Sequence, residues 1–565
     1  MAYSDVEIDM WFEGFEEAFE GKLTDDHQLI RHYGGQGWRV KTMGVGLVVL
    51  ADRNFPYSKP KAFLENYDRS RPRPHIEPIP FLGGTAKICL RTPAVPEQPL
   101  LAVQSAVHDA RQLLKANEDG EEDEDFEKDF PAYWMHYLPK GARRARLSGL
   151  SGTRAEIGAF HYEGGSYFCF PDKAHLQRWA KHVAAAFIKR PRQFPIVELK
   201  RLPRPDRFPS DADTLLKLLR RYSADGLKAV ADHLRSSPVR LPVLLTGRTS
   251  EDRTFEVAVE LVVRADAKGQ RSVKARQQRK LADEDVVQLY DVFPLNTKSI
   301  DAALTRLPDR DMASLTKKVV IVGCGALGSS IAVTLAKSGV SRLILIDPET
   351  LDWENVRRHE LGAEWIGRSK AIGLKHKIER SIPDIIEVVA YDGLVEDAVA
   401  NVPDLLADAD LVVVATGDWG SDVFVSQAAR NRTPLIPAIF TWTEAYALAT
   451  HAILLSSAAG YLADGFDMTG NFKGQTSHAD RKPPPECGNL TSPFGAVEVA
   501  QSQSLAAKLA LEFLSGRHSD ADIWRTWTAE HSALPGAGGR WSGYWLKNRG
   551  EPPALGGISE AAWKF

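Results

Sequence analysis

The chain has 565 residues, 44% of them hydrophobic and 26% charged, with a net charge of −3 at pH 7. That length accommodates about three domains, each with its own core, and the composition is ordinary for a soluble globular protein. The near-neutral balance gives no electrostatic basis for nucleic-acid or membrane binding, and no apolar run approaches the roughly 20 residues that span a bilayer.

The acidic opening segment MAYSDVEIDMWFEGFEEAFE lacks the basic-then-apolar pattern of a secretion signal, so a cytoplasmic protein is expected. Residues 1–145 read as an α+β region. A helix is expected at about 9–20, strands at 37–41 and 44–51, a Pro-rich irregular stretch at 55–80, and a helix at 99–116 after Cys89. The acidic run EDGEEDEDFEKD reads as a solvated loop, and the basic GARRARLSG as a boundary. Residues 150–310 mix strands (166–170, 254–264) with helices (176–189, 211–223, 225–236) and hold no chemical motif. His161, Cys169 and His175 resemble a metal set only on paper, because a cysteine inside SYFCF belongs to a core.

Residues 311–565 alternate strands and helices. KVVIVG, RLILID, EVVAY, LVVVAT and PLIPAIF are apolar runs of the kind that form buried parallel strands, with helices expected at 329–338, 369–381 and 421–431. The fold expected for this region is α/β, a doubly wound Rossmann-like sheet. The Trp- and Gly-rich tail after Arg517 fits no element. Four cysteines, Cys89, Cys169, Cys324 and Cys487, are too few for a disulfide framework, and none pair as a C-x-x-C knuckle.

VVIVGCGALGSS supplies Gly323, Gly325 and Gly328 between a strand and a helix, a spacing that lets backbone approach a phosphate at a helix N-terminus. RLILID ends in Asp347, where a carboxylate accepts hydrogen bonds from ribose hydroxyls. A nicotinamide dehydrogenase would share both features. The following DPETLDWENVRRHELGAEWIGRSKA adds Asn355, Arg357, Arg358, Arg368 and Lys370. Those cations suit a triphosphate, or else form an ordinary basic surface.

D-P-E-T-L-D-W-E-N-V-R-R-H resembles the segment after the Gly-rich strand in ubiquitin-activating-type adenylyltransferases, including the ThiF/MoeB-type sulfur-carrier activators. Asp347, Asn355, Arg358, Gly367 and Lys370 match, while Val356 replaces Leu and His359 replaces Gln. The resemblance implies ATP as substrate, with Asp347 on the ribose and Asn355, Arg358 and Lys370 on the phosphates. It implies Mg²⁺ near Asp418, although one extra residue precedes that position, and Arg310 reaching phosphate, across a homodimer. A single carboxylate with phosphates satisfies Mg²⁺. Cys487, in HADRKPPPECGNLTSPFG, lies where thioester-forming members carry their cysteine; Cys324, inside the Gly-rich loop, reads as a packed residue.

The N-terminal region is similar to ubiquitin-conjugating domains through Phe55, Pro56, Pro60, Phe63, His75, Ile88, Cys89 and Leu90. It departs by reading His-Ile-Glu where the family has His-Pro-Asn, and by a longer His-to-Cys spacing, so the oxyanion donor is left open. His75 reads as structural or as a base. The whole arrangement resembles the fused activating–conjugating (E1–E2) enzymes of bacterial CBASS anti-phage operons. That resemblance implies adenylation of the C-terminus of a partner cyclic-oligonucleotide synthase (a cGAS/DncV-like nucleotidyltransferase), capture on Cys487, transfer to Cys89 and delivery to a target lysine. Two alternatives remain: another bacterial ubiquitin-like conjugation pathway, and a NAD-binding or non-catalytic scaffold.

Overall fold

The computed structural model describes residues 22–23, 27–40, 42, 44–79, 81–90, 93–120, 124–148, 150, 156–182, 191–236, 238–249, 254–265, 281–299, 317–383, 385–402, 404–480, 494–518 and 521–565. The helix expected at 9–20, Arg310 and Cys487 lie outside the described residues. Contacts divide the chain into two compact units, Met1–Leu176 with Arg190–Ser299, and Gln177–Lys189 with Ile300–Phe565.

The first unit opens with a six-stranded sheet of β1 (Lys22–Leu23), β2 (Gln36–Val40), β3 (Leu47–Ala51), β4 (Lys61–Leu64), β5 (Ile76–Pro78) and β6 (Ala86–Ile88), in the order β1-β2-β3-β4-β6-β5. The all-apolar β3 is buried on both faces: Leu47 and Val49 pack with Val103, Ala106 and Val107 of the helix Pro99–Asp119, and Val48 and Leu50 pack with Leu29. That helix starts on a proline and stops at Gly120, whose φ of 73° no alanine would adopt readily. The stretch expected to be irregular holds β4 and β5, because Ala62, Phe63, Leu64 and Ile76 bury despite the surrounding prolines.

Eight further strands complete this unit: β7 (Arg144–Leu147), β8 (Ile157–Glu163), β9 (Ser166–Phe170), β10 (Arg192–Leu199), β11 (Arg240–Arg248), β12 (Thr254–Val263), β13 (Tyr290–Pro294) and β14 (Asn296–Ser299). Their order is β13-β12-β11-β10-β8-β9-β7-β14. β10 joins the two halves by pairing with β8 through Arg192–Pro195 and with β11 through Ile196–Leu199. Only the buried Leu295 separates β13 from β14, so the two ends of the strand order are consecutive in the chain. The basic segment read as a boundary is β7, paired on both sides. Glu260 of β12, fully buried, accepts from Arg143, Arg240 and Tyr167, tying β11 and β12 to β9 and the start of β7.

The second unit is built on β15 (Lys318–Val322), β16 (Arg342–Asp347), β17 (Glu387–Asp392), β18 (Leu411–Val414), β19 (Ala438–Thr443), β20 (Ala449–Leu455), β22 (Ile523–Thr528) and β24 (Gly557–Ala562), with a separate pair, β21 (Ser477–Ala479) and β23 (Gly539–Trp541). The order is β17-β16-β15-β18-β19-β20-β22-β24. β17 through β19 are parallel, and β20, β22 and β24 join antiparallel. This is the expected doubly wound α/β sheet. The unassigned tail extends it: Trp524, Trp545 and Trp563 are buried in the same core as Val320 and Phe440. Among the described residues no helix is long and apolar enough to cross a membrane.

Candidate functional site

β15 pairs with β16 on one side and β18 on the other, so the strand order reverses there. Ligands of open α/β sheets bind at that reversal, beyond the carboxyl ends of the strands. The Gly-rich loop occupies this place. Gly323 has φ +83°, and a Cβ on it would lie 2.7 Å from Ala415 backbone; one on Gly328 would lie 1.8 Å from the Gly323 carbonyl. Packing therefore requires both glycines. Gly325 differs: a Cβ there would meet nothing within 4 Å. It caps the helix Ala326–Lys337, whose first N–H groups have no helical acceptor, so the open space suits an anion.

Asp347 ends β16 and is buried, which pushes its carboxyl pKa up. Its Oδ2 accepts the Cys324 N–H at 2.6 Å and its Oδ1 the Glu349 N–H at 2.8 Å. Each oxygen keeps a lone pair for a hydroxyl. Lys370, 4% exposed, opens the helix Lys370–Ser381 and pairs with the exposed Glu349 carboxylate. Asn355 shapes the turn between them: its Oδ1 accepts the Asp352 N–H at 3.0 Å, and its carbonyl accepts the N–H groups of Arg358 and His359, each at 2.9 Å. The Arg358 guanidinium lies 4.6 Å from the Phe494 ring centroid.

His359, which replaces a family glutamine, braces the loop. Its Nδ1 accepts the Leu361 N–H at 2.9 Å, which leaves Nε2 protonated to donate to the Cys324 carbonyl at 2.6 Å. A glutamine amide has the same donor and acceptor. Burial lowers the His359 pKa to about 4, so the ring is neutral at pH 7.

Asp418 caps the helix Trp419–Arg430, its Oδ2 accepting the Ser421 N–H at 2.8 Å. Sequence reasoning missed Asp422, which accepts the Thr416 hydroxyl at 2.5 Å and whose pKa is raised to about 6 by burial and by Asp418. Among the described residues no group of three or more His, Cys, Asp or Glu is placed to hold a metal. The carboxylate at Asp418 fits a magnesium ion that takes its other oxygens from phosphates and water.

Cys169 and Cys324 are buried, and burial pushes both thiols well above the usual range. Cys89 is exposed, at the end of β6. The β5–β6 register sets it opposite His75, whose carbonyl accepts the Cys89 N–H at 2.8 Å. Lys59 donates to the neighbouring Leu90 carbonyl at 3.1 Å. His75 has φ +59°, uncommon for a residue with a Cβ. Its N–H donates to the Tyr133 hydroxyl at 2.9 Å, and its Nε2 lies 3.6 Å from Asp125 Oδ2. Tyr133 in turn donates to Asp125 Oδ2 at 2.5 Å. The acidic run read as a solvated loop thus supplies Asp125, from the short helix Asp125–Lys128. Asn117 does not replace the missing motif asparagine, because its Nδ2 donates to the Pro74 and Leu113 carbonyls, both at 3.1 Å.

Residues 301–520 match the model of the ThiF family, and residues 9–142 that of prokaryotic E2 family B. The ATP-dependent ubiquitin transferase-like protein Cap2 of Escherichia coli is 24% identical over 220 residues, 37% of this chain and 36% of that one. The sulfur carrier protein ThiS adenylyltransferase of Bacillus subtilis is 32% identical over 113 residues, 20% of this chain and 33% of that one. The vegetative HesA protein of Trichormus variabilis is 29% identical over 130 residues, 23% of this chain and 48% of that one. The chain spans less than half the length of each of these relatives. Its N-terminal region thus matches a prokaryotic E2 family and its C-terminal region the ThiF family, two family matches joined in one chain.

Proposed function

We propose that the protein is an ATP-dependent conjugating enzyme that activates the C-terminus of a partner protein and delivers it to an amine. One observation carries this reading: a single chain joins a Gly-rich, Asp347- and Lys370-lined crevice to an exposed cysteine, Cys89, on an E2-type sheet. In the first step a carboxylate oxygen of the partner's C-terminus attacks the α-phosphorus of ATP, the bond to the β-phosphate breaks, and pyrophosphate leaves. The open space at Gly325 and the amides of the helix Ala326–Lys337 would take phosphate, Asp347 the ribose hydroxyls, and Lys370, Asn355 and Arg358 the charge that develops. Glu349 must then give up Lys370 to the nucleotide. By the same resemblance, Arg310 would reach phosphate across a homodimer.

Asp418 would hold Mg²⁺, which neutralises phosphate charge when bound. The Cys487 thiolate then attacks the acyl carbon, forming C–S as the C–O bond to AMP breaks. The Cys89 thiolate repeats the exchange and frees Cys487. A lysine amine finally attacks the Cys89 thioester: C–N forms, C–S breaks, and the amine proton passes to solvent. The resemblance to the fused activating–conjugating enzymes of CBASS operons makes a cGAS/DncV-like nucleotidyltransferase the activated partner in this reading. A second reading keeps the chemistry and substitutes a small ubiquitin-like modifier.

The test is co-expression with the neighbouring reading frame and non-reducing electrophoresis. Thiol-sensitive adducts are expected. Cys487→Ala should remove all of them, and Cys89→Ala should leave the Cys487 adduct without a stable conjugate. A Cys89 adduct that survives in Cys487→Ala refutes the order. A chain that shows no ATP–pyrophosphate exchange with any neighbour is instead a nucleotide-binding scaffold.

A further inference from the structure

The helix Phe130–His136 packs into one core and makes polar contacts with the segment beside another sheet. Phe130 and Trp134, one turn apart, are buried with the residues of the eight-stranded sheet, and Trp134 Nε1 donates at 2.8 Å to the carbonyl of Leu295, the residue that joins β13 to β14. Other side chains of this helix and its end reach the segment that precedes Cys89. His136 Nε2 lies 3.3 Å from Glu77 of β5, Tyr137 shares a 3.1 Å hydroxyl contact with Tyr67, and Tyr133 takes the His75 N–H. The stretch from Tyr67 to Glu77 is therefore fastened at three points to a helix that is itself fastened into the eight-stranded sheet of the same unit, the middle domain of the chain.

His75 lies near the end of that stretch, with its N–H, its carbonyl and its ring all engaged. Its N–H goes to Tyr133, its ring stands beside Asp125, and its carbonyl holds the Cys89 N–H. A histidine keeps a left-handed backbone only where its surroundings over-determine it. Here the surroundings are Tyr133 and Asp125, which also bond to each other. We infer that the middle domain holds the Cys89 site in its reactive geometry through the helix Phe130–His136, with Tyr133 as a positioning residue that acts through His75. This gives the domain a task that its sequence, empty of chemical motifs, does not disclose. It rests on the reading that Cys89 carries the acyl group.

Hydrogen exchange on the intact chain, read by mass spectrometry, tests the coupling without any substrate. Tyr133→Phe keeps the ring that packs on Phe126 and removes only the hydroxyl. The peptide 86–90 should then exchange about fivefold faster or more, as expected for a loosened hydrogen-bonded turn, while peptides from β11 and β12 keep wild-type protection. Trp134→Phe, which removes the bond to Leu295, should accelerate the same peptide. Wild-type exchange at 86–90 in Tyr133→Phe overturns the inference, and wild-type exchange there in Trp134→Phe overturns the link to the middle domain. Uniform loss of protection across the unit also overturns it, since the effect would be unfolding rather than local positioning.

A second measurement ties the device to chemistry. With the neighbouring protein co-expressed, Tyr133→Phe and Asp125→Asn should form the Cys487 adduct at the wild-type rate and discharge the Cys89 adduct several-fold more slowly, with Asp125→Glu recovering part of the loss. Equal discharge in wild type and Tyr133→Phe refutes a role in reactivity. If the wild type forms neither adduct, the conjugation reading fails, and the exchange measurement alone decides the coupling.

Discussion

His359 makes the second unit sensitive to acid. Its folded pKa is about 4 because burial disfavours the imidazolium, and both ring nitrogens are already committed, one accepting from Leu361 and one donating to Cys324. The unfolded chain takes up a proton near the ordinary histidine value of about 6.5. Between those two values the unfolded state binds more protons than the folded one, so stability falls as pH falls. With about 1.4 kcal/mol per pKa unit, lowering the pH from 7 to 5 should cost about 2 kcal/mol at this residue, and the full window about 3 kcal/mol. His359→Gln keeps a donor for the Cys324 carbonyl and an acceptor for the Leu361 N–H but cannot titrate. The assay is urea unfolding at several pH values, followed by tryptophan fluorescence and compared between wild type and variant. The wild type should lose about 2 kcal/mol more than His359→Gln between pH 7 and 5. Parallel pH dependence in the two proteins, or a wild type that gains stability in acid relative to the variant, refutes the reasoning.

The glycines separate packing from ligand space. Gly328→Ala would force its Cβ to within 1.8 Å of the Gly323 carbonyl, so calorimetry should show a lower unfolding temperature together with lost ATP binding. Gly325→Ala meets open space, so it should unfold at the wild-type temperature yet bind ATP more weakly by titration calorimetry. In the first unit, Glu260→Gln leaves Arg143 and Arg240 facing a neutral amide in a fully buried position. Both guanidiniums keep solvent contact, 36% exposed for Arg143 and 27% for Arg240, so the loss should fall below the ~3–5 kcal/mol of a fully buried pair, at about 1–3 kcal/mol, and thermal unfolding should register it without any change in ATP binding.

The parts of this protein that the sequence discloses are those whose chemistry is local. Gly323, Gly325 and Gly328 sit within one turn, and the strand that ends in Asp347 is apolar enough to be recognised as buried, so the crevice was legible as a unit. Cys89 was legible because a conjugating-type pattern surrounds it. What escaped was set by long-range pairing. β4 and β5 lie in a Pro-rich stretch whose local propensity opposes strands, and only pairing with β3 and β6 overrides it. The tail defied assignment because its tryptophans carry no period of their own; β22 acquires its place by pairing with β20, and β24 by pairing with β22.

The same reasoning explains why the support behind Cys89 was hidden. An acidic run has every local mark of a solvated loop, and nothing in EDGEEDEDFEKD distinguishes Asp125 from its neighbours. Its role follows from Tyr133, whose hydroxyl connects it to a histidine distant in sequence, and Tyr133 is placed by Phe130 and Trp134 packing into another sheet. A missing motif residue is therefore poor evidence for a dead site. The motif asparagine is absent and Asn117 is committed elsewhere, yet the backbone opposite Cys89 is held by three side-chain anchors drawn from outside the motif. Inactivity would have to be argued from the loss of those anchors, and Tyr133→Phe is the smallest change that removes one.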